Sequence, residues 1–272
     1  PHASVHTGLM HACGHDGHTA ILLAAARHIA EHVDFSGTLN LIFQPAEEGL
    51  GGAKKMMQDG LFRRFPCDAI FAMHNMPGFP RGTLLLREGS TMAASENITI
   101  TLRGVGGHGA MPHQAADPVV AGASIVMGLQ TIVSRNVAPL QMSVITVGAF
   151  QAGVANNVIP NEAVLKLSVR SLDREVHKTL LRRIGELVKL QAESFGVNAT
   201  VDFQGGYPVL VNTRAETDFA RQVALELLGP QAVTLQTEPV TGSEDFAFML
   251  DEVPGCYLYI GNGDKANGGH GA

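Results

Sequence analysis

The chain has 272 residues, 45% of them hydrophobic and 16% charged, which suits one large or two smaller globular domains with a sizeable core. A net charge of −6 at pH 7 excludes a nucleic-acid binder held by phosphate contacts, and no run of about 20 apolar residues is there to span a membrane. Three cysteines are too few, and odd in number, for a disulfide framework, and they point to a reducing, cytoplasmic setting.

The first motif in the chain is His11-Ala-Cys13-Gly-His15-Asp-Gly-His18. A thiolate and several imidazoles are soft and borderline ligands suited to a transition-metal ion. The two glycines allow the backbone to turn Cys13 and His15 toward one place. A helix is predicted over 17–32, capped by Asp16, with Ile21, Leu22, Ala25 and Ile29 near one face. The continuous apolar run 38–43 predicts a strand buried on both faces, and it leads directly into Gln44-Pro-Ala-Glu47-Glu48-Gly49. Helix signals resume over 52–59. A further buried strand over 69–73 carries His74 at its C-terminal end. This alternation is the rhythm of an α/β sheet, in which ligands collect beyond the carboxyl ends of the strands. Glu47, Glu48 and His74 fall there by this reading.

The pattern changes near residue 93. Ile98, Ile100 and Leu102 alternate inward on a half-exposed strand over 96–102. A helix follows over 117–134 with Pro118 in its first turn, then strands over 141–151 and 162–172, an amphipathic helix over 174–195, and a strand over 199–203. This β-α-β-β-α-β order is the ferredoxin-like arrangement. It reads as a domain of residues 93–205 inserted into one built from 1–92 and 206–272. After residue 206 the α/β rhythm returns, with helices over 214–228 and 243–250 and strands over 233–236 and 256–260.

Cys13, His15, Glu48 and His74 are the candidate metal ligands. A thiolate, imidazoles and a carboxylate suit Zn, Mn, Co or Ni better than Mg or Ca. In an adjacent Glu-Glu pair one carboxylate can bind metal while its neighbour acts as a base toward a water that the cation has made acidic. Glu47 is the candidate for that second role. Gly104-x-Gly106-Gly107 follows an alternating strand, and no βαβ unit with a distal acid comes after it, so it is not a dinucleotide fingerprint.

His11-x-Cys13-Gly-His15-Asp-x-His18, Gln44-Pro-Ala-Glu47-Glu48 and Met73-His74-Asn75 together resemble the zinc-peptidase-type amidohydrolases. That family holds hippurate hydrolases, N-acyl-amino-acid amidohydrolases and auxin-conjugate hydrolases, and it is related to the aminoacylases. The resemblance implies an α/β metallopeptidase-like catalytic domain with an inserted ferredoxin-like lid domain that also dimerises. It implies two divalent transition-metal ions, Mn or Zn before Co or Ni. It makes Cys13, His15, Glu48 and His74 the ligands, with Cys13 placed to bridge both ions, and Glu47 the general acid/base. It assigns His108 to the substrate carbonyl in the neighbouring subunit's active site, and Asn157 and Arg170 to the substrate's free carboxylate. The implied partners are a small N-acyl amino acid and a second copy of the chain, with no nucleic acid and no membrane. Thr241-Gly-Ser243-Glu-Asp-Phe246 also resembles a family motif, for which two readings stand: Ser243 as the cap of the helix that follows, and a role of the segment near the substrate.

At both ends the pattern stops short. The family's earlier strand, with an aspartate near the metals, precedes Pro1. Its last histidine ligand follows in a His-Asn-Pro segment that His270 does not match. Both ends therefore read as truncated, with weak or no activity expected. The expected reaction is hydrolysis of the amide bond of hippurate-like N-acyl amino acids. The alternatives are a dipeptidase or carboxypeptidase of the same superfamily, and a non-catalytic dimer that binds acyl-amino acids.

Overall fold

The computed structural model describes residues 4–263; His270 lies outside them. They form two compact units. The first holds the residues up to Gly89, Val211–Glu238, and those from Phe248 onward; the second holds Ser90–Leu210 and Pro239–Ala247. The chain crosses between the units four times, so the second unit interrupts the first.

In the first unit come helix α1 (His15–Glu31), the short turns α2 (Glu47–Leu50), α3 (Gly52–Gln58) and α4 (Leu61–Arg64), and strands β1 (Ile70–Met76) and β2 (Leu84–Leu86). Strand β3 (Gly89–Met92) leads out of it. The second unit supplies β4 (Ala94–Arg103), β5 (Gly107–His108), α5 (Pro118–Asn136), β6 (Ser143–Ala152), β7 (Val158–Ile159), β8 (Glu162–Ser171), α6 (Arg174–Ser194) and β9 (Asn198–Phe203). Strand β10 (Leu210–Asn212) leads back to α7 (Arg214–Leu228) and β11 (Val233–Leu235), and α8 (Phe246–Glu252) to β12 (Gly255–Gly261).

The sheet of the first unit runs β1-β12-β2-β11. β1 lies parallel to β12, with His74 opposite Tyr259, and β2 parallel to β11, while β12 and β2 are antiparallel. It is therefore a mixed sheet. Helix α7 covers it, burying Ala224 against Leu86 and Cys256.

Two predicted features of this unit do not form. Residues 38–43 make no strand: Leu39, Leu41 and Phe43 stand 41–48% exposed, and no described strand hydrogen-bonds to them. An extended apolar run becomes a strand only where a partner completes its ladder. Helix α1 starts at His15, not at 17, so Asp16 sits in its first turn and Gly14 holds the cap position with no side-chain cap bond. Its inward positions are Leu22, Ala26 and Ile29, whereas Ile21 and Ala25 are exposed.

In the second unit the antiparallel sheet runs β6-β8-β4-β9, and the order β4-α5-β6-β8-α6-β9 is β-α-β-β-α-β. Ile98, Ile100 and Leu102 point to one face, where Ala121, Ile125, Leu129 and Ile132 of α5 and Val176, Leu180, Ile184 and Val188 of α6 close the core. Asp117 and Asp173 cap the two helices, each accepting two backbone N–H groups. Helix α5 is long and apolar enough to cross a membrane by composition alone, but its apolar stripe lies on the sheet of this unit. Residues 239–247 join the second unit because Val240 and Gly242 bond to Thr91 and Ala93.

Candidate metal centre

Gly14 sits at φ +83, and a Cβ there would lie 2.7 Å from Asn75 Oδ1. Only glycine holds this left-handed turn easily, and the turn sets Cys13 on one side and His15 on the other as the first residue of α1. Gly17, the other glycine of the motif, is ordinary helix with nothing within 4 Å.

Strand β1 brings His74 to this turn. The residue lies within the strand, which continues to Met76, and not at its end. His74 Nδ1 donates to the Asn75 carbonyl at 2.7 Å, which leaves Nε2 as the bare ring nitrogen, 3.3 Å from Cys13 Sγ. A sulfur and an imidazole nitrogen bound tetrahedrally to one Zn-sized ion would stand about 3.5 Å apart. Burial foremost holds His74 below the ordinary histidine range, with the neighbouring His15 adding to it. The neutral form, which is the one that ligates, is thereby favoured.

The two carboxylates arrive on an irregular turn. Ala46 takes φ 55, Glu48 leaves helical geometry at ψ 78, and Gly49 has φ 79. Gly52 closes the turn against Pro45, whose carbonyl oxygen would lie 1.6 Å from any Cβ there. A non-glycine residue in the left-handed region is held against its preference, a state that concentrates at functional sites. The turn sets Glu47 Oε2 4.0 Å and Glu48 Oε1 3.9 Å from His15 Nε2. These distances are too long for hydrogen bonds and suit groups that share a cation. The Glu47 side chain is 19% exposed and that of Glu48 71%. Glu48 also acts electrostatically on His74.

Two overlapping donor groups result, Cys13–His15–His74 and His15–Glu47–Glu48, each with its ligand atoms within 4.8 Å of one another. The five candidate residues of the first unit are thus brought together, and their donor chemistry fits a divalent transition-metal ion. His18 and Asn75, which the sequence reading quoted without a role, are part of the same construction. His18 Nε2 faces Asn75, accepting its backbone N–H at 3.1 Å in one tautomer and donating to its carboxamide oxygen in the other. His18 is therefore engaged by Asn75 and braces the strand that carries His74. Its position three residues after His15, one turn along the same helix face, is the sequence signal that could have marked it.

In the second unit, the pairing of β5 with β7 brings His108 close to Asn157, which lies in the turn just before β7. His108 lies opposite Val158, and Gly109 N–H donates to the Asn157 carbonyl at 2.7 Å. His108 Nδ1 accepts from Ala110 N–H at 3.1 Å, so Nε2 carries the ring proton and can donate it. Arg170 lies apart from this pair on β8, where it donates to Ser243 Oγ at 2.9 Å. Ser243 does not cap α8 as expected. That helix begins at Phe246, whose N–H is taken by Glu244 Oε1 at 3.1 Å.

An α/β unit that gathers a thiol, imidazoles and paired carboxylates, interrupted by a β-α-β-β-α-β unit, defines a metallopeptidase-like amidohydrolase. The chain belongs to Peptidase family M20/M25/M40, whose description matches residues 1–272. It is 43% identical to a hippurate hydrolase of Campylobacter jejuni over 262 residues, covering 96% of this chain and 68% of that one. It is 39% identical to an N-acetyl-L-cysteine deacetylase of Bacillus subtilis, covering 96% and 62%. Among solved structures, a dinuclear metal-binding M20 peptidase of Bacillus subtilis matches with TM-score 0.79 and 31% identity over 95% of this chain and 66% of that one. The chain thus spans about two thirds of the length of these relatives.

Proposed function

We propose that this protein hydrolyses the amide bond of N-acyl amino acids, hippurate-like substrates among them, releasing a carboxylic acid and a free amino acid. The observation that carries the reading is the meeting of Cys13 Sγ and His74 Nε2 at 3.3 Å beside His15, Glu47 and Glu48. The two adjoining donor groups and the likeness to a dinuclear metal-binding M20 peptidase support a pair of divalent ions, Mn or Zn before Co or Ni, held by Cys13, His15, Glu48 and His74. When bound, such cations supply Lewis acidity to the carbonyl and make a nearby water more acidic.

Glu47 takes the proton of the attacking water as its oxygen bonds to the amide carbon. It then delivers that proton to the leaving nitrogen as the C–N bond breaks. His108 Nε2–H donates to the oxyanion that develops on the carbonyl. The Arg170 guanidinium binds the substrate's free carboxylate, joined there by the Asn157 carboxamide that the second copy brings in together with His108.

A homodimer through the second unit, with His108 serving the partner's site, completes the reading. Its support is an uncharged edge. β6 is an end strand of its sheet with no charged residue, and it exposes Val144 and Phe150, while α5 beside it exposes Val119, Val120 and Met127. Long uncharged edges are ordinarily covered or paired. None of the three cysteines forms a disulfide, in keeping with a cytoplasmic setting.

The test is Glu47→Gln assayed on hippurate, acetyl-methionine and an unblocked dipeptide, with metal content measured alongside. The expected result is turnover of the two acylated substrates by the parent, and a loss of about 10²–10⁴-fold in the variant at unchanged metal content. Undiminished turnover in the variant refutes the role of Glu47. A preference for the dipeptide refutes the substrate class.

A further inference from the structure

Arg170 is half-buried on β8, opposite Ser95 of β4 and Val144 of β6. Its neighbours Val169 and Ser171 face the helices, so Arg170 lies on the helix-free face of the sheet. Burial disfavours its charge, yet among the described residues no carboxylate compensates it. Among the described residues its hydrogen-bond partner is the neutral Ser243 hydroxyl. A half-buried guanidinium with one arm on a neutral acceptor keeps its other N–H donors available to an incoming anion.

Ser243 is itself held firmly. Val240 N–H donates to the Thr91 carbonyl at 2.9 Å, and Ala93 N–H lies between the carbonyls of Val240 at 3.1 Å and Gly242 at 2.9 Å. These bonds fix the segment that ends in Ser243 against the start of the second unit. Glu244, not Ser243, takes the first N–H of α8, so helix capping does not occupy the Ser243 hydroxyl.

We propose that Ser243 is a positioning residue for substrate specificity: by accepting one N–H of Arg170 it fixes the guanidinium plane and leaves the remaining donors to grip a substrate carboxylate. This rests on the reading that Arg170 binds that carboxylate. A guanidinium has five N–H donors in a rigid fork, so fixing one arm orients the others. Without Ser243 the fork would have to be ordered by the substrate itself, at a cost in binding. The interaction holds the carboxylate alike in ground and transition states, so its loss appears in KM and not in kcat.

The experiment compares Ser243→Ala, Ser243→Thr and Arg170→Ala in the full chain. The substrates are hippurate and its neutral amide, benzoylglycinamide. Ser243→Ala is expected to raise KM for hippurate about three- to tenfold with kcat unchanged, and to leave KM for the neutral amide untouched. Ser243→Thr keeps the hydroxyl and restores the parent value. Arg170→Ala raises KM for hippurate further, and Ser243→Ala adds nothing on top of it. If Arg170→Ala raises KM while Ser243→Ala does not, the positioning role is overturned and the Arg170 reading stands. Equal losses of Ser243→Ala on both substrates mark a merely structural role and also overturn it. If Arg170→Ala leaves KM for hippurate unchanged, the reading beneath the proposal fails.

Discussion

Replacing Gly14 by alanine tests how the backbone aims the metal ligands. At φ +83 a Cβ costs about 1–2 kcal/mol for the left-handed conformation. The same Cβ would stand 2.7 Å from Asn75 Oδ1, so the carboxamide must leave His18, at a cost of about 1 kcal/mol. The sum is about 2–3 kcal/mol, or roughly 30- to 160-fold in affinity if it falls on the turn that joins Cys13 to His15. The assay is a competition titration of Zn or Mn against a chromophoric chelator, with the thermal midpoint recorded for apo and loaded protein. Gly17→Ala is the control. It lies in regular helix with nothing within 4 Å, so alanine there is expected to leave metal affinity unchanged and to stabilise α1 by up to about 1 kcal/mol. If Gly14→Ala binds metal as tightly as the parent, the left-handed turn is not what brings Cys13 and His15 to one place.

In the core of the second unit, Leu129→Ala is expected to cost about 2–5 kcal/mol in urea unfolding, because Leu129 is fully buried. Leu190→Ala, on α6 and 65% exposed, should stay within about 0.5 kcal/mol. Glu96 is buried on β4 and accepts Gly205 N–H at 2.6 Å, and burial raises its carboxyl above the usual range. The folded state therefore holds the proton more tightly than the unfolded chain. The stability this confers is full below the ordinary carboxylate range and is lost as pH rises through the folded value. Glu96→Gln keeps the acceptor and loses the charge, so it should raise the thermal midpoint at pH 8 and leave it unchanged at pH 4. A midpoint lowered at pH 8 would contradict this.

The sequence disclosed most of the fold where one stripe of residues buries periodically. Ile98, Ile100 and Leu102 on β4 and Val176, Leu180, Ile184 and Val188 on α6 recur at strand and helix spacing, and those elements were placed within one or two residues. The run 38–43 misled because apolarity reports burial tendency and says nothing of whether a partner ladder exists. Short pairings such as β5 with β7 were missed, since two residues carry no period. At the site, residue types and neighbours pointed to Cys13, His15, Glu47, Glu48 and His74. The engagement of His18 by Asn75 and of Arg170 by Ser243 spans 57 and 73 residues, a separation that no local pattern encodes.

The most direct test of the metal centre is anomalous diffraction from crystals soaked in Zn or Mn. The account predicts a peak within about 2.0–2.3 Å of Cys13 Sγ and His74 Nε2, with His15 and Glu48 completing the donor set. A peak elsewhere, or none there at saturating metal, would contradict it.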